Sequence, residues 1–400
     1  MPTLTRRRLL GAGAATVVGG VGVELLAGPA PTFDAWEPAP DAWPAERRDS
    51  ARTAAAPEMN PPTGEPSVEW TAEVESAPNE GVTALVVGDG TAFLGGDFRI
   101  AAVDLADGSR LWDADAPAEH LCYRDGVLYC VSIIHGGGLV ALDAADGRTH
   151  WTFSEGGSTD VHDLLVVGDA ALVGTHGQLV AHDARDGTVA WRLNVGGSGK
   201  VHPAVADNTL YVGGPGPLAA YRSREGWNAV REATPRRTER DRSHGPPFVT
   251  HPVVTDDSVY VGGHVDPFEE ITGAAFSRSG LSHRWNGPTG NGLTSPVPID
   301  DVGVVRIYHH GDNQEYELVG VDLDDGETEW SINRNAQIAP PVGAGELAFT
   351  CSADGAVLAI DPGTGRIVWE TTVDGSTRAV VPAGERLLVA DASGTVRCLR

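Results

Sequence analysis

The chain has 400 residues, of which 55 are acidic and 29 basic, giving a formal net charge of −26, with 41% hydrophobic residues. That much apolar material excludes wholesale disorder, and the acid surplus disfavours DNA, RNA and anionic lipid as partners, because phosphate binding needs clustered cations. Lys200 is the single lysine, and an acid surplus with so little lysine points to a halophilic proteome, where screening tolerates dense negative charge.

In chain order, Arg6-Arg7-Arg8-Leu9-Leu10 precedes a run of small and apolar residues up to Gly28. A charged start, an apolar stretch and a small-residue exit are the parts of an export signal, and the paired arginines resemble the twin-arginine type. Residues 1–30 are therefore expected to direct export, either cleaved or kept as an N-terminal anchor. Their removal takes away three arginines and one glutamate and leaves a charge of −28. No later stretch is apolar for long enough to span a bilayer as a helix. Residues 31–66 are rich in Pro, Ala, Asp, Glu and Arg without periodicity, which predicts a flexible tether in which Trp36 and Trp43 are the tryptophans.

From residue 67 the chain repeats. Asp104…Gly108…Trp112 recurs as Asp143…Gly147…Trp151, Asp183…Gly187…Trp191, Asp322…Gly326…Trp330 and Asp361…Gly365…Trp369, each fitting Asp-x3-Gly-x3-Trp. Arg222…Gly226…Val230 keeps the spacing without Asp or Trp, Gly280 and Trp285 keep the landmarks with one insertion, and Trp70 stands without a turn before it. Each period of roughly 40 residues reads as four short strands separated by Gly-Asp, His-Gly and Asp-Gly turns, the arithmetic of a propeller blade. Asp is placed to accept hydrogen bonds from turn amides, Gly to supply positive φ, and Trp to fill the wedge between blades. The chain ends on a third strand, Gly394 to Arg400, lacking its fourth, and Ser67–Glu73 is a fourth strand lacking its first three. Pairing them closes the ring and removes an exposed sheet edge. The expected fold is all-β: an eight-bladed propeller of four-stranded antiparallel blades over 67–400.

The pattern Ala-x-Asp-x-x-x-Gly-x-x-x-Trp, clearest at Ala141-Leu-Asp143…Gly147…Trp151, resembles the tryptophan-docking repeat of the PQQ-like, or quinoprotein, eight-bladed propellers. The resemblance implies one of two branches: PQQ-dependent dehydrogenases, or non-enzymatic members such as the propeller lipoprotein of the bacterial outer-membrane barrel-assembly machine. The enzymes hold PQQ with an adjacent-cysteine disulfide, a stacking tryptophan and a calcium bound by Glu, Asn and Asp. Cys122, Cys130, Cys351 and Cys398 include no adjacent pair, and no matching ligand set is found. Neither catalytic residues nor a cofactor are expected, PQQ with calcium included.

Cys122 and Cys130 flank a hairpin, and both a disulfide and two free thiols fit that placement; Cys351 and Cys398 are not expected to pair. Aligning the innermost strands places Ala84, His120, Asp163, His202, His251, Ser295, Ala339 and Ala379 in one slot, followed by Pro203, Pro252, Pro296 and Pro340 in four blades. His120, Asp163, His202, His251 and Ser295 thus form a polar arc around one side of the axis. Such an arc can hold a transition metal or a polar ligand, although the spacing of neighbouring blades argues against tight chelation. The longest interval, 55 residues between the landmarks at 230 and 285, carries Arg231, Arg236, Arg237, Arg240 and Arg242, a basic insertion suited to a partner. Asp322 to Glu327 reads as a repeat turn rather than a calcium loop, and His309-His310 as a solvated loop.

The expected function is an exported, non-catalytic, monomeric scaffold that binds a protein or peptide partner at the cell envelope or cell surface. The alternative is a PQQ- or metal-dependent oxidoreductase using the axial site.

Overall fold

The structure, a computed structural model, describes residues 23–25, 34–74, 81–96, 99–116, 118–132, 138–154, 161–197, 199–222, 236–237, 250–264, 270–310 and 315–400. Its strands fall into eight antiparallel sheets, and no helix among the described residues is long and apolar enough to cross a membrane. In seven blades the main strands follow one another along the chain. The eighth is built from Thr377–Ala383, Arg386–Asp391 and Thr395–Leu399, closed by Val68–Glu73 from the other end of the chain. Blades are numbered here from the one that starts at Ala84. The exception to chain order is Gly263–His264, which lies between two strands of blade 5 and joins the sheet of blade 6.

The repeat motif performs the three tasks that its chemistry suggests. Oδ1 of Asp104, Asp143, Asp183, Asp322 and Asp361 accepts a hydrogen bond from the amide two residues on, at 2.7–3.1 Å. Gly108, Gly147, Gly187, Gly326 and Gly365 all have positive φ. Those glycines are also bare for a packing reason: a Cβ at Gly187 would stand 2.5 Å from the Trp151 ring, and the other four meet a tryptophan of the preceding blade in the same way. That indole then donates to a carbonyl of the same turn, as from Trp112 to Ala144 (2.9 Å), Trp151 to Ala184 (3.2 Å) and Trp285 to Leu323 (2.9 Å). Opposite each tryptophan on the neighbouring strand lies a small residue, Ala102, Ala141, Ala181, Gly320 or Ala359, which explains the alanine of the motif. The wedges are filled by separate apolar clusters, such as Phe93, Trp112, Leu121 and Tyr123 between blades 1 and 2.

The structure bears on three expectations. In blade 4, Arg236–Arg237 pairs with Ala219 and Ala220, and Val230, the landmark of that repeat, lies outside the described residues. Arg231, Arg240 and Arg242 lie outside the described residues. The two hairpin cysteines are buried free thiols, because the register sets Cys130 against Leu121 and Cys122 against Tyr129, on opposite faces of the sheet. Cys351 and Cys398 are likewise buried and free.

The third expectation changes most. Residues 42–61, expected to form a flexible tether, lie along the propeller axis as a buried strap. Trp43 exchanges backbone hydrogen bonds with Val87 of blade 1, and Pro44 accepts from Tyr123 of blade 2. Ser50 accepts from Val205 of blade 4, Ala51 from Val254 of blade 5, and Ala54 from Gly343 of blade 7. Ala55–Ala56 adds a parallel strand to the inner edge of blade 7. Composition did not reveal this because the strap needs little apolar surface of its own: it satisfies the polar edges of inner strands that would otherwise line an open channel. Arg47, Arg48, Arg52 and Ala54 have positive φ, a conformation costing non-glycine residues roughly 1–2 kcal/mol each, which persists where surrounding contacts dictate it. The strap continues to Pro62, whose carbonyl accepts from the Trp369 indole at 3.0 Å. Blade 8 has no internal turn at that place, since it is made from both ends of the chain.

Candidate functional site

The inner strands begin at one end of the axis and meet the strap toward the other. Between them lies a cavity of about 460 Å³. Its floor includes Trp43, Glu46, Arg47 and Ala54 of the strap, and its walls carry His120, His251, Ser295, Arg306 and Arg378.

Asp163 is the centre of the polar arc. It sits at a register shift in the strand Val161–Val167, the kind of irregularity that re-aims a side chain. Its strand partner Gly174 has no room for a Cβ, which would meet the Val201 carbonyl oxygen at 1.9 Å; the bare backbone lets blade 4 approach. Asp163 is completely buried, as is Arg52 of the strap, and the two form an ion pair at 2.5 Å through Oδ1. Arg52 uses its other donors on the carbonyls of Glu46 (2.7 Å), Pro203 (3.1 Å) and Leu164 (3.1 Å). The second oxygen of Asp163 faces two imidazoles: Nδ1 of His202 at 3.2 Å and Nε2 of His251 at 3.1 Å. The two rings lie 4.2 Å apart, centroid to centroid.

His120 does not join this group; its Nδ1 lies 3.1 Å from Glu46 Oε2. Glu46 Oε1 is 3.8 Å from His251 Nε2, so the strap glutamate bridges the two ends of the arc. Ser295 is a clasp: its hydroxyl donates to the His251 carbonyl (2.6 Å) and accepts from the Gly262 amide (2.8 Å). The prolines that follow the arc also acquire a role. Without an N–H they leave no orphan donor on the axial edge, while the carbonyls of Pro203 and Pro296 accept from Arg52 and Arg47.

Charge follows geometry. Burial works against ionised Asp163, yet Arg52, then His251 and His202, hold its carboxyl well below the usual range. Burial would also raise Glu46, but His251 and His120 hold it down to about 2. Desolvation, and then the neighbouring His251, push His202 down to about 4 despite its bond to Asp163, so the ring is neutral at pH 7. The arc was visible from sequence alignment of the blades. Arg52, Glu46 and Gly174 were not, since none belongs to the repeat motif and two lie in a segment without periodicity. Contrary to the expectation from blade spacing, neighbouring inner strands bring three side chains of the arc into mutual contact distance.

Among the described residues, Asp163, His202 and His251 are the group of three or more His, Cys, Asp or Glu side chains whose ligand atoms all lie within 4.8 Å of one another. The four cysteines are buried and free, with Cys122 two residues past His120 on the same inner strand and bridged to Ala45 of the strap.

Comparison with solved structures gives the same architecture from several sources. BamB from Moraxella catarrhalis matches with TM-score 0.63 and 17% identity, covering 84% of this chain and 98% of that one. Quinohemoprotein alcohol dehydrogenase from Comamonas testosteroni matches with TM-score 0.67 and 15% identity, covering 90% and 80%. The computationally designed Ika8 protein matches with TM-score 0.63 and 15% identity, covering 83% and 99%. At such identities the likeness concerns the fold alone. No curated protein matches. A family model described as outer membrane protein assembly factor BamB matches residues 58–261 and 314–400, and the chain belongs to that family of PQQ-like propellers.

Proposed function

We propose that the chain is an exported, non-catalytic propeller scaffold that binds a protein or peptide partner at the cell envelope. The observation that carries this reading is the strap. A propeller enzyme needs its axial groups free to meet substrate, whereas here Asp163 is neutralised by Arg52 from the chain's own N-terminal segment, and the far end of the axis is closed. The remaining cavity of about 460 Å³ is open to a side chain or chain end of a partner. The residues present do not fit PQQ with calcium. The resemblance calls for adjacent cysteines and a Glu–Asn–Asp set, while the axis offers imidazoles, arginines and a carboxylate already paired. Export by the twin-arginine route, which carries folded proteins, accords with a strap that must be in place when the ring closes. The strong negative charge accords with a surface in concentrated salt.

Two measurements test the reading. Titration of the purified mature chain with PQQ and calcium should give no saturable absorbance change and no dye reduction with alcohols or sugars; saturable binding with turnover overturns it. A photo-crosslinking residue at Arg378, on the cavity wall, should yield one discrete adduct in native envelopes. Adducts no different from those of a crosslinker on an outer strand would remove the support for a partner.

A further inference from the structure

Beyond the scaffold reading, the axial cluster has the chemistry of a metal centre. Two imidazoles and one carboxylate, from three successive blades, present their nitrogens and Oδ2 to one another. The His202 and His251 nitrogens lie 3.2 and 3.1 Å from that oxygen. A tetrahedral ion with bonds of about 2.0–2.1 Å sets its ligands roughly 3.3 Å apart, so two of the three spacings already match and the third lies within 4.8 Å. A second observation is independent of the spacing. Nε2 of His251 is buried yet makes no hydrogen bond of good geometry, although a carboxylate oxygen stands 3.1 Å away. A buried imidazole nitrogen left in that state costs free energy unless something else engages its lone pair.

We propose that Asp163, His202 and His251 bind one divalent transition-metal ion of the Zn2+ class beside the axial cavity, which His251 lines. The donor set selects the ion: imidazole with carboxylate suits zinc and its neighbours, whereas calcium and magnesium take oxygen ligands. Arg52 on Oδ1 acts as the outer partner that fixes the carboxylate, leaving Oδ2 for the ion. Three protein ligands leave a coordination position toward Glu46 of the strap, whose Oε1 lies 3.8 Å from His251 Nε2 and could supply an oxygen. Bound metal would thereby tie blades 3, 4 and 5 to the strap.

The test uses the untagged mature chain, stripped with chelator and dialysed against Zn2+ or Co2+. About one equivalent should be retained, and Co2+ should show the intense visible bands of a tetrahedral site. His202→Gln and His251→Gln should each weaken binding by more than about 100-fold, the upper end of what loss of a mere outer partner costs. The exposed pair His162 and His176, whose nitrogens approach to 3.0 Å, is the control: a His162→Gln/His176→Gln variant should keep the equivalent. Far-UV circular dichroism identifies any variant that fails to fold, and His251→Gln, whose ring borders the cavity, is the variant of choice in that event. The proposal is overturned if wild type retains no metal, if the bound Co2+ spectrum is octahedral, or if folded His251→Gln binds as wild type does. Metal uptake without turnover leaves the scaffold reading standing, so the two can fail separately.

Discussion

The rim and the axis of this propeller are held together by opposite strategies. At the rim, one arrangement of aspartate, glycine and tryptophan is used again and again, with the same turn hydrogen bonds and the same indole resting on the same bare glycine. At the axis nothing repeats. A single irregular strap touches seven blades through different atoms, and the slot that is alanine in blades 1, 7 and 8 is polar in blades 2 to 6. Repetition gives a rigid ring; the individual chemistry is concentrated where repetition stops.

The contrast can be broken most sharply at the axis. Arg52→Leu should destabilise the mature chain by about 3–5 kcal/mol in denaturant unfolding, because it strands a buried carboxylate. Combining it with Asp163→Leu should recover a large part of that loss, since removing both charges also removes the unpaired one. Rim changes should be smaller and interchangeable. Gly147→Ala and Gly187→Ala force a Cβ against a tryptophan at positive φ and should each cost about 1–3 kcal/mol, agreeing between blades within about 1 kcal/mol. Asp104→Ala and Asp361→Ala, which lose turn hydrogen bonds at exposed positions, should each cost about 1 kcal/mol. Replacing Arg231, Arg240 and Arg242 by Gln should change the free energy of unfolding by less than about 0.5 kcal/mol while reducing partner capture. An axial loss no larger than a rim loss would erase the distinction.

The same contrast explains what could be read in advance. Asp-x3-Gly-x3-Trp is legible because every element of it has a local mechanical task, and five intact copies, two weakened ones and Trp70 together give eight blades and the closure. The slot comparison found the arc because equivalent strand positions point in equivalent directions. The strap was illegible for physical reasons. Its contacts are chiefly backbone to backbone, its arginines adopt left-handed conformations that have no composition signature, and its key pair joins residues 111 positions apart. The outer part of blade 4 was the least legible, because its repeat has lost both Asp and Trp, the residues that mark the register elsewhere.

The central claim is that residues 42–61 are part of the folded axis. Amide hydrogen exchange on the intact mature chain tests it directly. Trp43 should exchange as slowly as the strands flanking it, as should Tyr123, Val205, Val254 and Gly343, whose amides donate to strap carbonyls. Exchange of Trp43 at the rate of an unstructured peptide, with those inner-strand amides equally unprotected while the blades stay slow, would contradict it.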